Sequence, residues 1–468
     1  MKAEIAFGSG VIAVRNLKTF LINLASGVEK IPFLHEILIT LLAINSVYWF
    51  FPGLMTYDSF FQYSEVLGIT PLSDSHSSLM GYLWRALVSV YQSPGVMLIW
   101  GQFVYWIAVY LWSRFLFVNH WKRIVFSVCF GLWPPLYIIS LHLWKDVGMM
   151  VGFSLSLFFS LTYRKQGGLF RALFAFLFLF YGVAMRLNAI SGALPLAILL
   201  SEALVYRMGS SKKNLRIVAL TLVILATQMA MISAINKTVK RVYALGTIFA
   251  WDIGAISIAE NQNLYPKYLP RLVPEDQLLS STIANFNIDG NYFLWDTIKP
   301  FPPPELERQF HKDFFNLILS YPMDYLAHRL RVFTKLIGLS DETTSAYYAG
   351  IHENELGITF SNVKADSLDR VFEIFNWFVD SLIYRVWFYL LLGIALFIKI
   401  WQVWKESNKR LTINVLGSLM LLLSGWLIVL PLFFLAPSAD FRYNIWLIYS
   451  TLLAWFMLYR RPADHFPN

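Results

Sequence analysis

The chain has 468 residues, of which 57% are hydrophobic, 17% aromatic and only 14% charged. This composition excludes an ordinary soluble globular protein and predicts an integral membrane protein. The net charge of +9 comes from lysines and arginines in short loops between apolar segments, with no long basic tract, so it does not indicate nucleic-acid binding.

Residues 1–31 lack a sustained apolar core followed by a small-residue cleavage site, so we expect a cytosolic or interfacial segment and no cleaved signal peptide. About ten later segments are long and apolar enough to cross a bilayer as helices. They lie near 32–52, 94–118, 122–142, 146–163, 169–187, 189–206, 215–236, 378–401, 411–436 and 441–459. The sequence therefore predicts an all-α polytopic membrane protein with about ten transmembrane helices.

The loops between these segments differ in charge. If the spans alternate, five basic segments fall on one side, which we expect to be cytosolic: "NHWKR", "YRKQGGLFR", "YRMGSSKKNLR", "KIWQVWKESNKR" and "YRRPADHFPN". Both termini, including the tail 460–468, then lie in the cytosol, and the spans cross the cytoplasmic (inner) membrane. The loop 53–93 and the long segment 237–377 face the periplasm or the outside.

The segment 237–377 is long enough for a soluble domain and is predicted to be an external, mostly helical α or α+β domain inserted after the seventh helix. The breaker "PFPPP" precedes a helical spacing of apolar residues from Phe310 to Phe333 that includes Leu326 and Leu330. This spacing predicts a helix lying on the membrane or on other helices. This insert divides the predicted transmembrane region into two parts. The first is 32–236, which includes the predicted catalytic loop 53–93, and the second is 378–459.

The stretch "GLMTYDSFFQY" follows the first predicted span and carries Asp58 and Gln62. A carboxylate just outside the bilayer can accept a proton from an acceptor hydroxyl while a lipid-borne donor lies alongside, so Asp58 is a candidate catalytic base. The alternative is that Asp58 only caps the short helix that follows. Gln62, one turn later, and Asn188 are candidates for orienting the substrate.

Further ionisable residues lie at the external ends of the predicted spans. They are His76 in "LSDSHSS", Lys145 and Asp146 in "LHLWKDVG", Arg186 in "VAMRLN" and Arg442 in "SADFRYN". Each has an ordinary interpretation: an exposed loop histidine, a carboxylate at a helix N-terminus, or a cation that snorkels to the interface. Together, cations on one face suit a phosphate or pyrophosphate, and arginine offers a bidentate fork. Asp58, Asp146 and Asp74 leave a divalent cation possible, but no spacing requires one, so no metal site or cofactor is predicted.

The order of these motifs resembles the GT-C superfamily of integral membrane glycosyltransferases. The chain is most similar to the bacterial branch related to protein O-mannosyltransferases and the lipid A aminoarabinose transferase. The shared features are an acidic residue in the first external loop, a "DSH", a "KD" pair opening a later span, a large external insert and a late "RY". The resemblance covers 32–236 and the last spans, whereas the insert matches only through "YPMDYLAHRLRVF".

The resemblance implies a role for each matching residue. Asp58 corresponds to the catalytic base or acceptor-orienting acid, and Asp146 to a catalytic residue that orients Lys145 or touches the acceptor. His76 corresponds to a loop histidine, although "HSS" stands here where the family often has prolines. Basic positions that face the donor phosphate match Lys145, Arg186 and Arg442, the last followed by Tyr443.

The resemblance also implies a function. The donor would be a polyprenyl-phosphate sugar and the acceptor a cell-envelope glycan, such as an O-antigen, or a lipid-linked molecule, joined on the external face by an inverting displacement. Two alternatives stay open: an oligosaccharide polymerase or ligase acting on lipid pyrophosphates, and a lipid-linked sugar transporter or flippase. A transporter is expected to show repeat symmetry and charges near the bilayer midplane, whereas these charges lie at span ends.

Overall fold

The computed structural model describes Gly27, Glu29 and residues 31–186, 188–209, 212–340, 346–407 and 412–459. The tail 460–468 and nearly all of the predicted interfacial segment 1–31 lie outside the described residues. Within the described part the fold is all-helical, and extended segments pair only as isolated β-bridges. The predicted all-α class is confirmed at this level.

Twenty α-helices make up the described part. In chain order they are α1 Leu34–Phe50, α2 Tyr57–Leu67, α3 Ser78–Val88, α4 Gly95–Leu116, α5 His120–Gly131, α6 Pro134–Ser140, α7 Lys145–Gln166, α8 Leu169–Met185, α9 Ala189–Met208, α10 Lys213–Asn236, α11 Leu245–Ala259, α12 Leu278–Asn285, α13 Leu294–Thr297, α14 Glu307–Ser320, α15 Pro322–Leu336, α16 Asn362–Val379, α17 Val386–Glu406, α18 Ile413–Val429, α19 Leu432–Leu435 and α20 Ile445–Leu458. A 3₁₀ turn, Phe441–Asn444, leads into α20.

Six of the described helices or helix pairs are long and apolar enough to cross a membrane: α4, α7, α9, α10, α17 and α18 with α19. Counting the bent pair α5–α6 as one span gives seven, and α1, α8 and α11 are shorter apolar helices. By length and composition, the described helices are therefore compatible with a polytopic helical membrane protein, and the figure of about ten spans stays a prediction.

The predicted continuous span 122–142 is wrong in one respect, because the helix bends by 70° between Gly131 and Pro134. Proline lacks an N–H donor and disfavours helical geometry in the residue before it. The pair Pro134–Pro135 therefore ends α5 and begins α6 in a new direction.

Two glycines bring α7 and α8 unusually close together. A Cβ atom on Gly152 would lie 2.7 Å from the backbone nitrogen of Gly182, and one on Gly182 would lie 2.5 Å from the Phe153 ring. Small residues permit such close packing between membrane helices. Because these helices run antiparallel, their packing brings the start of α7, with Asp146, beside the end of α8, next to Arg186.

Hydrogen bonds hold α9, α18 and α20 together near the same end. Ser424 Oγ donates to the Gly192 carbonyl at 2.6 Å, and Trp446 Nε1 donates to Ser424 Oγ at 2.8 Å. All three residues are buried or belong to the packed helix faces. The start of α20, which follows Arg442, is thereby placed beside the start of α9, which follows Arg186.

The insert has a second apolar core built from α11 to α15, with the Phe249 and Phe314 rings stacked at 3.9 Å. The helical pattern predicted from Phe310 to Phe333 is interrupted at Tyr321, because Pro322 starts a new helix. Phe314 lies in the core, whereas Leu326 and Leu330 are exposed. The prediction of helix is confirmed, but its apolar residues do not share one face.

Candidate functional site

Four distant segments of the chain meet at one end of the helix bundle. The strand-like segment before α2 pairs with the turn before α7, since Leu54 N–H donates to the Leu141 carbonyl and Leu143 N–H to the Leu54 carbonyl, both at 3.1 Å. Ser59 Oγ on α2 also donates to the Leu143 carbonyl at 3.2 Å. These contacts fix the first turn of α2 against the start of α7.

Asp58 lies in the first turn of α2 but does not cap it. Thr56 occupies the N-cap position, and its backbone N–H donates to Ser59 Oγ at 3.3 Å. The Asp58 carboxylate instead accepts a hydrogen bond from the Arg442 guanidinium at 2.6 Å. The alternative in which Asp58 only caps the helix is therefore wrong, because Thr56 already supplies that chemistry.

The Asp58 side chain is 38% exposed, so the carboxylate is open to a substrate on one side. Burial is the largest single effect and raises its pKa, but Arg442, His76 and Lys145 together outweigh it and hold the pKa of Asp58 well below its ordinary value. The carboxyl is consequently ionised at physiological pH. It is an acceptor of protons and hydrogen bonds and not a donor.

Arg442 is buried between two carboxylates. Its Nη2 pairs with Asp58 at 2.6 Å and its Nε lies 2.8 Å from Asp440 Oδ2. The guanidinium carbon also lies 4.6 Å from the centre of the Trp144 ring. A snorkelling arginine extends its head to water, whereas this guanidinium is directed into the protein, so snorkelling does not describe it.

Asp440 is a member of the site that the sequence analysis did not select. Burial raises its pKa, although Arg442 opposes that effect. Its carboxylate also accepts the Arg442 backbone N–H at 3.1 Å, as the cap of the 3₁₀ turn. An aspartate two residues before an arginine is an ordinary turn pattern, so the only available signal was its position in "SADFRYN".

Arg186 and Asp146 form a second ion pair, buried on both sides. One Asp146 carboxylate oxygen is buried without a hydrogen-bond partner. The Arg186 guanidinium stacks 4.3 Å from the centre of the Tyr443 ring, and Arg442 lies 5.5 Å from the same ring. Tyr443 thus contacts both arginines.

Lys145 contacts His76, with Nζ 3.1 Å from the imidazole Nδ1. An ammonium group only donates hydrogen bonds, so Nδ1 accepts and the ring proton is assigned to Nε2. Burial and the neighbouring Lys145 charge lower the pKa of His76 to about 3, which keeps the ring neutral. His76 is therefore arranged to donate through Nε2–H.

The three cations of the site, Lys145, Arg186 and Arg442, differ in whether a carboxylate pairs with them. Arg186 and Arg442 are each paired with carboxylates, whereas no ion pair within 4.0 Å joins Lys145 to a carboxylate in the part of the chain that the structure describes. An anion entering the site would find Lys145 least neutralised.

Replacement of His76 by glutamine is expected to flatten the pH dependence of stability. A histidine whose pKa is lower in the folded state is protonated first in the unfolded state, so its contribution to folding falls as the pH drops from its ordinary pKa of 6.5 towards about 3. Thermal unfolding of purified protein at about pH 7 and about pH 5 measures this loss, which should be smaller in H76Q. Equal losses in the two proteins would contradict the neutral assignment.

The two predicted orienting residues lie at the edge of the cluster. Gln62 is buried, and its Nε2 donates to the Asp58 backbone carbonyl at 3.2 Å while its Oε1 has no partner. Asn188 occupies the N-cap of α9, two residues after Arg186, and its carbonyl accepts the Ser191 hydroxyl at 2.9 Å. Gln62 thus binds the backbone of Asp58, while Asn188 lies in the turn between α8 and α9, close to Arg186.

The third acid considered for a divalent cation lies apart from the other two. Asp74 accepts the Val242 backbone N–H at 2.5 Å and so connects the first loop to the insert. Asp58 and Asp146 face arginines. Among the described residues, no group of three histidine, cysteine or acidic side chains has the arrangement of a metal site.

The insert contributes backbone contacts to the site. Ala439 N–H donates to the Asp289 carbonyl at 3.0 Å, and Gly290 pairs with Ser438 as an antiparallel bridge. The Asp289 carboxylate is in turn paired with Lys335 of α15 at 2.6 Å. The turn that carries Asp440 and Arg442 is thus held by the insert, a role that no sequence motif indicated.

Comparison with known proteins adds no relative: no protein-family model, curated protein or solved structure matches the chain. The site is therefore interpreted from its own chemistry. It combines an ionised, partly exposed carboxylate with three cations and a neutral histidine donor at one end of the helix bundle.

Proposed function

We propose that the chain is a membrane glycosyltransferase that moves a single sugar from a polyprenyl-phosphate donor to a hydroxyl of a cell-envelope glycan or lipid-linked acceptor. The observation that carries this proposal is the convergence of Asp58, Lys145, Arg186 and Arg442 from segments up to 384 positions apart. A carboxylate and several cations in one partly open cluster suit a reaction that takes a proton at one point and releases a phosphate at another.

The proposed reaction is a single displacement. The acceptor oxygen attacks the anomeric carbon of the sugar, and its proton passes to the Asp58 carboxylate. The bond between the anomeric carbon and the phosphate oxygen breaks, and its electron pair leaves with polyprenyl phosphate. Attack from the face opposite the leaving group inverts the anomeric centre.

Lys145, Arg186 and Arg442 stabilise the departing phosphate in this proposal. Arg442 is shared between Asp58 and Asp440, so a donor phosphate competes with Asp58 for the guanidinium. As the phosphate draws that positive charge, the pKa of Asp58 rises towards its ordinary value. Donor binding would thus convert a paired carboxylate into a better base.

His76 and Asp146 act in this scheme through groups that they already contact. The Nε2–H of His76 is available to a sugar hydroxyl or a phosphate oxygen, while Nδ1 holds Lys145. Asp146 pairs with Arg186 and orients it against the Tyr443 ring. We assign both as supporting residues around the Asp58 base.

The full architecture that we propose has about ten spans, with both termini in the cytosol and 53–93 and 237–377 outside the cytoplasmic membrane. The basic loops on the opposite side support it. The site then opens towards the external leaflet, where a lipid-linked sugar made inside and flipped outward becomes accessible.

Cysteine labelling tests this orientation. In a Cys129→Ala background, single cysteines at the exposed positions Gln92 and Ser280 should react with a membrane-impermeant maleimide in intact cells, because both lie in proposed external segments. A cysteine at the exposed position Gln166 should react only after permeabilisation. Labelling of Gln166→Cys in intact cells, or protection of Gln92→Cys, would reverse the orientation.

The proposed activity is tested by incubating purified protein with radiolabelled polyprenyl-phosphate sugars and candidate lipid-linked acceptors. Transfer of label to an acceptor by the wild type supports a glycosyltransferase. Movement of labelled donor between leaflets without transfer would assign a flippase. Addition of a block of several sugars, when a lipid-pyrophosphate glycan is supplied as the donor instead, would assign a polymerase or ligase.

A further inference from the structure

An exposed apolar stripe runs along α14 and α15 of the insert. Phe315 and Leu319 lie one turn apart on α14, and Met323, Leu326 and Leu330 recur at helical spacing on α15. All five side chains are exposed, with Leu319 at 78% and Met323 at 73%. Five large exposed apolar side chains on two consecutive helices are unusual on the water-facing side of a protein.

The opposite faces of the same helices are well packed. Phe310 and Phe314 of α14 are buried in the insert core, and Val332 of α15 is fully buried. Arg329 of α15 is also fully buried and pairs with Asp252 of α11 at 2.5 Å. These helices therefore have two different faces: one packs into the core of the insert, and the other carries the exposed stripe.

The stripe continues into a candidate membrane span. At its end Phe333 packs against Phe433, with ring centres 5.5 Å apart. Phe433 belongs to the apolar segment Ile413–Leu435, whose last residues include the exposed Phe434 and Leu435. Lipid surrounds the exposed apolar side chains of a membrane span. If this segment is a span, the lipid that covers Phe434 also lies next to the stripe.

Basic residues lie on the same face of α14 as the stripe. Arg308 and Lys312 are both exposed and precede Phe315 and Leu319 by about two turns of helix. Lysine and arginine beside a row of apolar side chains are typical of helices that lie in the interface of an anionic membrane.

We propose that α14 and α15 rest on the bilayer surface, with the stripe inserted at the boundary between the headgroups and the acyl chains. This goes beyond the proposed function, since it concerns where the insert sits and not what the site transfers. It also has a consequence for the site. Arg329 donates to the Ala436 carbonyl at 2.8 Å. The position of α15 on the bilayer would therefore fix how far the turn that carries Arg442 lies from the membrane.

The test uses the full chain in single-copy nanodiscs of phosphatidylethanolamine and phosphatidylglycerol. In a Cys129→Ala background, an environment-sensitive fluorophore is attached at Leu319→Cys or Met323→Cys, and at the exposed insert position Ser280→Cys as the matched control. Lipids with a quencher near the top of the acyl chain report contact with the membrane. No catalytic assay is involved, so the outcome is independent of the proposed function.

We expect blue-shifted emission at 319 and 323, with quenching about threefold or more above that at 280, as for an interfacial helix. Emission and quenching equal to those of the 280 control would overturn the proposal. Blue-shifted emission without lipid quenching would also overturn it, because protein would then cover the stripe. Labelling two separate positions keeps the result interpretable if one variant folds poorly.

Discussion

Substitution of Asp58 by asparagine is expected to reduce single-turnover sugar transfer by roughly 10²-fold or more, the usual scale for loss of a general base. Asparagine keeps the size of the side chain and an oxygen that can accept from Arg442, but it cannot take the acceptor proton. Because Thr56 caps α2, the helix should still form. Thermal unfolding of the same purified variant checks that the loss is chemical.

The matched control for this change is Asp276→Asn, at an exposed acid of the insert outside the site. Its transfer rate should equal that of the wild type. An Asp58→Asn protein that transfers sugar at the wild-type rate would remove Asp58 as the base. The Arg442 pair would then be a structural contact only.

Replacement of Arg442 by alanine is expected to lower transfer by about 10²- to 10³-fold, the scale for removing one preorganised donor to a developing charge. Arg442→Lys should recover part of the rate, because lysine keeps the charge but loses the planar fork that phosphate oxygens suit. The rate should be followed against donor concentration, since weakened phosphate recognition raises the donor requirement. Arg186→Ala should show the same direction of change.

A buried arginine between two acids also contributes to folding, so its loss leaves Asp58 and Asp440 without their partner. Arg442→Lys separates the two roles, because it retains a cation for the acids. The control is Arg241→Ala, which removes an exposed ion pair with Glu307. Normal donor dependence in both Arg442 variants would mean that this arginine only holds the fold together.

The helices were largely predictable because membrane spans are long apolar runs. Predicted segments such as 94–118 and 146–163 correspond closely to α4 and α7. The bend at Pro134 was not predicted, since an apolar run bounded by basic residues gives no information on its direction. The interruption at Pro322 changed the phase of the helical pattern and moved Leu326 and Leu330 to an exposed face.

The sequence predicted which residues belong to the site, but it did not predict which of them form ion pairs. Charge at the ends of apolar segments placed Asp58, Lys145, Asp146, Arg186 and Arg442 on one face, and the structure brings these residues together. Which acid meets which base depends on the order of helices in space, and no local pattern encodes it. The pairing of Asp58 with Arg442 spans 384 positions.

Two local patterns were ambiguous for chemical reasons. Threonine and aspartate both cap helices well, and the cap was expected at Asp58, whereas the structure gives that position to Thr56. Asp440 was missed because a capping aspartate and a site carboxylate have the same sequence signature, and here one side chain serves as both.

Analysis of the products by mass spectrometry tests the central claim most directly. Purified wild-type protein is given one polyprenyl-phosphate sugar and its acceptor, and both the modified acceptor and the released lipid are quantified. The proposed displacement predicts an acceptor heavier by a single sugar and an equal amount of free polyprenyl phosphate, with both products formed by Asp58→Asn at an initial rate roughly 10²-fold or more below that of the wild type. Release of a lipid pyrophosphate, transfer of several sugars at once, or equal product from Asp58→Asn would contradict it.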